Sequence, residues 1–434
     1  MIEDSKTYFL VTLGCSKNQI DSEAIEVDLI SAGMRRTEDL QAADLIIVNS
    51  CGFINDAKIE TLDTIFELHA GRKNDSVLVM CGCLPARYDL QKSIDEIDIF
   101  LPSNEHKKLL PMLREAGWDL HKPKESVKRV KPSAPFGYIK ISEGCDNFCS
   151  YCAIPYIKGA FASRSSEDIL AEAKYLCREG AKEIVLIGQD TTSYGKDNGG
   201  ESGLPSLFDR LSEIEGCEWI RLMYAHPAHL TDDTIAAISE NKRLVKYIDL
   251  PLQHINDRIL GSMNRRTDRR HIETVLKKLR SQIPGIVIRT TFIVGFPGET
   301  DNEFAELLDF YEETQIDNVG IFKYSVEDGT AAERLSGRLD DAIIEERYLT
   351  LLDLQNKISG ETLKNRVGLK ERVLLHEIDS DGKAYGRAWF QAPEVDGQVI
   401  VENCDASAGD FVNVIFERSD AYDLYGSPVK GKNR

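Results

Sequence analysis

Two hydrophobic rhythms alternate along most of the chain: short apolar runs and longer stretches with helical spacing. Residues 8–13, 45–48 and 77–80 are β-branched-rich apolar runs of strand length. Each leads into a helical pattern, of which residues 21–32 are the first. Strands alternating with helices in this way predict a small parallel sheet with covering helices. Residues 121–135, from His121-Lys122-Pro123-Lys124 to Lys131-Pro132-Ser133-Ala134-Pro135, have no apolar period and read as a linker.

Beyond the linker the rhythm resumes more regularly. Residues 138–142, 184–187, 219–224, 247–250, 287–294 and 319–324 read as six strands separated by helical patterns. The clearest helix, residues 166–178, carries Glu167 and Asp168 in its first turn. Six βα units are fewer than the eight that close a full barrel, so a partial, open-sided parallel barrel is predicted, with ligands at the strand C-terminal ends. A long charged helix over about 340–365 follows. Short β-branched runs at 372–375, 398–401 and 411–416, parted by Asp-Gly and Asn/Gly turns, then predict a small antiparallel β-barrel. The expected fold is α/β, with domains at 1–120, 136–366 and 367–434 and the linker at 121–135.

Composition narrows the function. At 434 residues the chain is long enough for two or three domains, and no apolar run approaches the roughly 20 residues of a membrane span. The acidic start, Met1-Ile2-Glu3-Asp4-Ser5-Lys6, lacks the pattern of a signal peptide, so a cytoplasmic protein is expected. A net charge of −19 disfavours a broad nucleic-acid surface and suits a basic protein partner better. Ten cysteines in a reducing compartment point to metal or catalysis rather than disulfides.

The tightest group is Glu143-Gly144-Cys145-Asp146-Asn147-Phe148-Cys149-Ser150-Tyr151-Cys152, a C-x3-C-x2-C pattern directly after a strand. A zinc site normally needs four ligands, and no fourth Cys or His stands at zinc-finger spacing. Three thiolates instead suit a [4Fe–4S] cube whose fourth iron stays open to chelate S-adenosylmethionine. Reductive cleavage of that sulfonium yields a radical able to take hydrogen from an unactivated carbon. The bland alternative is three buried cysteines or half of a zinc site.

A second group is dispersed. Cys15 follows the run at 8–13, Cys51 the run at 45–48 and Cys83 the run at 77–80. Parallel strands end on one edge of their sheet, so these cysteines, 36 and 32 residues apart, converge there. Gly14, Gly52 and Gly82 beside them would let the backbone crowd a second three-thiolate cluster. Cys81 competes with Cys83, but it still lies in the strand run and should point into the core. Ordinary core cysteines are the alternative for this group. Cys177, Cys217 and Cys404 have no partners in spacing and are expected to be inert.

The central residues resemble the radical S-adenosylmethionine superfamily. The likeness extends to Ile187-Gly188-Gln189-Asp190 and to Val294-Gly295-Phe296-Pro297-Gly298-Glu299-Thr300. It implies Tyr151 beside the adenine and Gly188 and Gln189 as further cofactor contacts; from their places in the barrel, Gln253 at a strand end and Arg289 in mid-strand are candidate contacts too, with a structural salt bridge the other reading of Arg289. His254 is a candidate polar contact, and Lys17 either steers an anionic group or is solvated. The run Arg265-Arg266-Thr267-Asp268-Arg269-Arg270 either touches a macromolecule or faces water.

With both cysteine groups, the whole layout looks like the methylthiotransferase family, which joins an N-terminal cluster domain, a radical barrel and a C-terminal TRAM barrel. That resemblance implies two [4Fe–4S] clusters on Cys15, Cys51, Cys83 and on Cys145, Cys149, Cys152. It also implies S-adenosylmethionine used as methyl donor and as radical source. An electron donor such as flavodoxin or ferredoxin is expected; the sulfur donor is unknown, and the enzyme is expected to be a monomer away from membranes.

Leu13-Gly14-Cys15-Ser16-Lys17-Asn18-Gln19-Ile20-Asp21-Ser22-Glu23, Ile139-Lys140-Ile141-Ser142-Glu143-Gly144-Cys145, Leu250-Pro251-Leu252-Gln253-His254 and Ala392-Pro393-Glu394-Val395-Asp396-Gly397 are more similar to the protein-modifying branch. That branch acts on the β-carbon of an aspartate in small-subunit ribosomal protein S-twelve. The transfer-RNA branch usually carries Gln-Met in place of Ser16-Lys17; Ser16 departs from the Pro commonest in the protein branch. Residues 371–434 hold 12 acidic and 7 basic residues, a balance poor for gripping RNA and better for a basic ribosomal protein. A transfer-RNA adenosine methylthiotransferase, or a non-catalytic iron–sulfur or RNA-binding protein, are the competing readings.

Overall fold

The computed structural model describes residues 5–121, 129–198 and 203–429. Residues 122–128 of the expected linker, and 1–4 of the acidic start, lie outside the described residues. Two compact units emerge, and they do not follow chain order. The first joins Met1–Lys131 to Glu143–Ala162 and Ser325–Glu333; the second comprises Pro132–Ser142, Ser163–Tyr324 and Arg334–Arg434.

In the first unit a five-stranded sheet runs in the order Arg35–Arg36, Thr7–Thr12, Leu45–Ser50, Val77–Gly82, Ile99–Pro102, with every neighbour parallel. The three central strands are those predicted. The edge strands, of two and four residues, are too short to show a period. Alternate residues feed two cores: Leu45, Ile47, Val79 and Cys81 pack with Tyr8 and Leu29, while Ile46, Val48, Leu78 and Met80 pack with Ile65 and Leu84. Both faces are therefore covered, which is why the runs are continuously apolar. Each fully buried Ile, Leu or Val contributes roughly 1.5–3 kcal/mol, so Leu45–Ser50, buried along its whole length, anchors the unit. The same parity puts the Cys81 side chain in the core.

The second unit contains the predicted partial barrel. Phe136–Lys140, Glu183–Ile187 and Trp219–Leu222 form one parallel sheet, and Tyr247–Asp249, Val287–Val294 and Asn318–Lys323 another. A bridge between Ile220 and Leu244 and a hydrogen bond from the Ala225 amide to the Asp249 carbonyl join the two sheets edge to edge. The predicted helix Ser166–Arg178 starts on a Ser165 side chain that accepts from the Asp168 amide. Among the described residues no helix is long and apolar enough to cross a membrane.

Helix Asp341–Lys364, capped by Asp340, leads to a closed five-stranded barrel of Lys370–Ile378, Ala384–Ala388, Val399–Val401, Phe411–Ser419 and Leu424–Pro428. Its seams are antiparallel except that between Val399–Val401 and Leu424–Pro428, which is parallel. This small barrel plugs the N-terminal end of the larger one. Arg387 and Arg221 share the fully buried Glu183 at 2.8 and 2.6 Å, Tyr247 donates to Asp396 at 2.7 Å, and Tyr138 donates to Glu394 at 2.8 Å. The segment Ala392-Pro393-Glu394-Val395-Asp396-Gly397 is thus a structural joint. Its buried charges are paired, as burial of an ion requires.

Candidate cluster-binding site

Cys15, Cys51 and Cys83 stand just past the C-terminal ends of three adjacent strands, all within the first unit. Cys15 is the residue before helix Ser16–Ser31 and is exposed; Cys51 is half-buried; Cys83 is buried and opens helix Cys83–Arg87. Asn18 ties the three loops together. Its amide donates to the Leu13 carbonyl at 2.8 Å and the Ser50 carbonyl at 3.1 Å, while its oxygen lies 3.7 Å from the Cys83 sulfur. Asn49 braces Asn18 in turn, donating to its backbone carbonyl at 2.8 Å and to Ser22 at 2.9 Å.

The neighbouring glycines serve loop packing. A Cβ on Gly14 would lie 2.9 Å from the Cys51 Cβ, and one on Gly52 would lie 2.8 Å from the Leu84 Cα. The room they leave is filled by the adjoining thiol loop, which brings the cysteines closer. Burial pushes the Cys83 thiol up to about 12, against a pull down from Lys158; Cys51 and Cys15 push it further up. Cys51 is also raised, by burial and then by Cys15, although a backbone hydrogen bond at Phe53 opposes this. Three thiols that feel one another's charge, in a partly dry pocket, suit a group that displaces their protons and spreads their charge over several irons.

The central cysteines lie on one short loop. The Cys145 amide donates to the Gly159 carbonyl at 3.2 Å, and the Cys152 amide to the Cys149 carbonyl at 3.0 Å, closing the turn between them. Phe148, with φ of 48°, supplies the left-handed residue that turns the chain into Cys149. Helix Ile154–Lys158 follows, and its Ala153 and Ile157 side pack against Cys83. Lys158 closes the link, with its ammonium 3.0 Å from Asp21 and 3.9 Å from Glu143. Burial, which would lower the Lys158 pKa, is outweighed by these carboxylates and Cys83, so it stays charged.

Among the described residues no three His, Cys, Asp or Glu side chains converge closely enough to hold a single metal ion. A cube does not ask them to, because each thiolate binds a different iron. The donor sets, two groups of three thiols without His or carboxylate ligands, fit iron–sulfur chemistry and not a closed zinc site.

In the second unit the barrel's strand ends carry the remaining candidates. Gly188 sits against Ser142, whose oxygen would be 2.7 Å from a Cβ at that position. Gln189 follows it, next to Asp190, which accepts from Thr192, Ser193 and His229 at 2.7, 2.9 and 2.6 Å. Gln253 has φ of 77°, and its side-chain oxygen is buried without a hydrogen-bond partner. Strained non-glycine residues and orphaned buried acceptors cluster at ligand sites, so Gln253 stays a candidate contact. Arg289 lies elsewhere, early in strand Val287–Val294, pairing with Asp249 at 3.1 Å and reaching Asp396 at 3.6 Å. This is the structural salt bridge of its two readings.

Other candidates resolve similarly. His254 is fully buried, accepts from the Asn256 amide at 3.0 Å and lies 3.4 Å from Glu299, which also pairs with Arg347. Arg265 turns inward to the Pro251 carbonyl, and Arg269 pairs with Glu273. Cys177 and Cys217, unrelated by spacing, are both buried in the barrel core, where the Cys217 thiol donates to the Trp219 carbonyl at 3.7 Å. Asn18 and Lys158 are not singled out by the sequence; Asn18 lies within the stretch from Leu13 to Glu23, but nothing in a linear pattern tells which polar residue will span three loops. His226 and His229, just past a strand end, stack at 4.8 Å, with His229 beside Asp190.

Residues 7–102 match the Uncharacterized protein family UPF0004, residues 139–311 the Radical SAM superfamily, and residues 367–429 the TRAM domain. The protein of Natranaerobius thermophilus named ribosomal protein uS12 methylthiotransferase RimO is 41% identical, over 96% of this chain and 98% of its own length. Proteins of the same name from Clostridium botulinum and Geobacter sulfurreducens are 42% and 40% identical, over 96% and 97% of this chain and 97% and 98% of theirs. Among solved structures, the radical S-adenosylmethionine methyltransferase TsrM from Kitasatospora setae aligns over 74% of this chain and 75% of its own, with a TM-score of 0.54 and 13% identity. The cobalamin-dependent radical enzyme OxsB aligns over 80% of this chain and 56% of its own, at 0.53 and 14%. At such identity the two structures speak for the fold alone.

Proposed function

The chain belongs to the RimO family of methylthiotransferases, and on that premise we propose that it adds a methylthio group to the β-carbon of an aspartate in small-subunit ribosomal protein uS12. Cys145, Cys149 and Cys152 hold one [4Fe–4S] cluster in this reading, and Cys15, Cys51 and Cys83 hold a second. When bound, the first supplies reductive cleavage of S-adenosylmethionine and the second carries the sulfur to be inserted. Tyr151 is assigned to the adenine, and Gly188, Gln189 and Gln253 to further cofactor contacts.

The observation that carries this reading is the coexistence of two three-thiol groups in one compact unit, joined through Cys83, Ala153 and Ile157. A radical source alone needs one group. Asn18 keeps the dispersed thiols in register, while burial of Cys83 limits the access of water to the place where sulfur would be held. Lys158 supplies a fixed positive charge beside that place, where thiolates and sulfide would otherwise accumulate negative charge.

A basic ribosomal protein also suits the small barrel. Of its arginines, Arg387 is buried on Glu183, Arg372 stacks on Phe411 and pairs with Glu218, and Arg418 stacks on Tyr425. Glu377, Asp381, Glu402, Asp405, Asp410 and Glu417 face solvent, so the described surface is acidic. Such a field attracts a basic protein and repels phosphate.

Mass spectrometry of uS12 and of transfer RNA from a strain lacking the gene tests the proposal. The methylthio group is expected to vanish from the protein and persist on the RNA. The reverse would transfer the activity to the RNA branch. Anaerobic iron and sulfide analysis of the reconstituted protein is expected to find about eight irons per chain, as two such clusters require.

A further inference from the structure

We infer that the strap Ser325–Glu333, which follows the last barrel strand in sequence, positions the N-terminal thiol group through Glu327; the inference rests on the two-cluster reading above. Glu327 is 3% exposed and fully engaged. One carboxylate oxygen accepts from the Asn55 amide at 2.9 Å and from the Ser325 hydroxyl at 2.8 Å. The other pairs with Arg87 and with Lys58, each at 3.1 Å.

Arg87 transmits this grip to two cysteines. It ends the helix that Cys83 opens, and its guanidinium donates to the Gly52 carbonyl at 2.7 Å and the Phe53 carbonyl at 3.1 Å, directly after Cys51. It donates as well to the strap's Asp328 carbonyl at 2.8 Å. Thr330 holds the strap's own turn by donating to the Glu327 carbonyl at 2.7 Å. Further along, the Ala332 amide donates to the carbonyl of Ser150 at 2.7 Å, and Ser150 lies between Cys149 and Cys152. One short segment therefore contacts loops of both thiol groups.

Stability alone does not call for this construction. Burying a carboxylate with two cations brings a desolvation cost that well-packed apolar residues would avoid. What fixed charges with directional hydrogen bonds provide is orientation, as outer partners do for ligands at metal sites. Asn18 reaches Leu13, Ser50 and Cys83, whereas Glu327 acts through Arg87 on the Cys51 and Cys83 loops. The strap is thus a second, independent constraint on the same thiols, and the one that also meets the central loop.

The test compares wild type with Glu327→Gln, and with Arg87→Lys, which keeps the charge but loses the fork that holds the Gly52 and Phe53 carbonyls. Iron and sulfide content, melting temperature, 5′-deoxyadenosine and methylthiolated uS12 peptide are measured after anaerobic reconstitution. For both variants iron is expected to fall from about eight toward about four per chain. The ratio of methylthio product to 5′-deoxyadenosine is expected to drop at least about tenfold, with 5′-deoxyadenosine itself retained. If both products fall in parallel with the melting temperature, the strap is merely structural and the inference is overturned. Full iron with an unchanged ratio overturns it too. Should Glu327→Gln be insoluble, Arg87→Lys is read by the same criteria. Wild type with only about four irons would instead refute the two-cluster reading itself.

Discussion

The two thiol groups of this chain are built in opposite ways. Cys145, Cys149 and Cys152 lie within a single stretch of eight residues, held mainly from within its own neighbourhood by the hydrogen bonds Cys145 to Gly159 and Cys152 to Cys149. Cys15, Cys51 and Cys83 come from three loops and meet because parallel strands end together, with Asn18, Asn49 and Gly14 fastening the loops. A local motif tolerates changes elsewhere, since its geometry is encoded in its own dihedral angles. A dispersed one inherits the errors of every element that carries it. The N-terminal group should therefore be the more fragile, and substitutions outside the cysteines should separate the two.

The largest separation comes from the ligands themselves. Cys149→Ala is expected to reduce 5′-deoxyadenosine formation to background, and methylthio transfer with it. Cys51→Ala should leave 5′-deoxyadenosine formation intact and abolish methylthio transfer; chromatography of both products checks this. Sulfur insertion by the Cys51 variant would sink the two-group reading.

Next in size is Lys158, which belongs to neither group but joins them. Lys158→Met takes the cation away from the buried Asp21 carboxylate, a change that costs up to roughly 3–5 kcal/mol, so a fall in melting temperature is expected. Lys158→Arg should recover most of it. A smaller and more selective effect is expected of Asn18→Ala, which leaves the Leu13 and Ser50 carbonyls without their donor. Lost buried hydrogen bonds cost roughly 1–3 kcal/mol, and removal of an outer partner of this kind typically weakens metal binding about 10- to 100-fold. Chelator challenge should strip iron from the N-terminal group first, leaving an electron paramagnetic resonance signal from the central one.

The smallest effect supplies a control at the other end of the same sheet. Asp44, just before strand Leu45–Ser50, accepts from the Thr7 amide at 2.9 Å and pairs with Lys73 at 2.8 Å and Lys6 at 3.3 Å. Partial burial raises its pKa, but Lys73, the Thr7 amide and Lys6 prevail and hold it down to about 2. A carboxyl with a depressed folded pKa stabilises the fold fully above its unfolded value near 4, and that contribution is lost as pH falls through about 2. After allowance for solvent screening it is on the order of 1 kcal/mol. Asp44→Asn should remove this acid-side slope in melting temperature while leaving iron content unchanged. A loss of iron would mean that the thiol edge senses the far end of its sheet.

Much of this was legible in the sequence, for identifiable reasons. Continuous apolar runs betray strands covered on both faces, so the three central strands of the first sheet and all six barrel strands were readable. The place of Cys81 within the strand run predicted that it would turn into the core, where it packs with Tyr8 and Leu45. The edge strands Arg35–Arg36 and Ile99–Pro102 were not readable, being too short to carry a period. Arg289 could be read as a cofactor contact or as a salt bridge. Its partner Asp396 is 107 residues away in the small barrel, beyond the reach of any spacing argument.

By itself, the sequence determined the kinds of element and their order and singled out six cysteines as candidates, because period, chain direction and thiol chemistry are local properties. The tertiary structure alone decided which polar residues stand beside those thiols. Asn18, Lys158, Arg87 and Glu327 are ordinary residues in their own neighbourhoods. They come together only where distant segments meet, since a hydrogen bond or ion pair depends on separation in space and burial, neither of which is written along the chain.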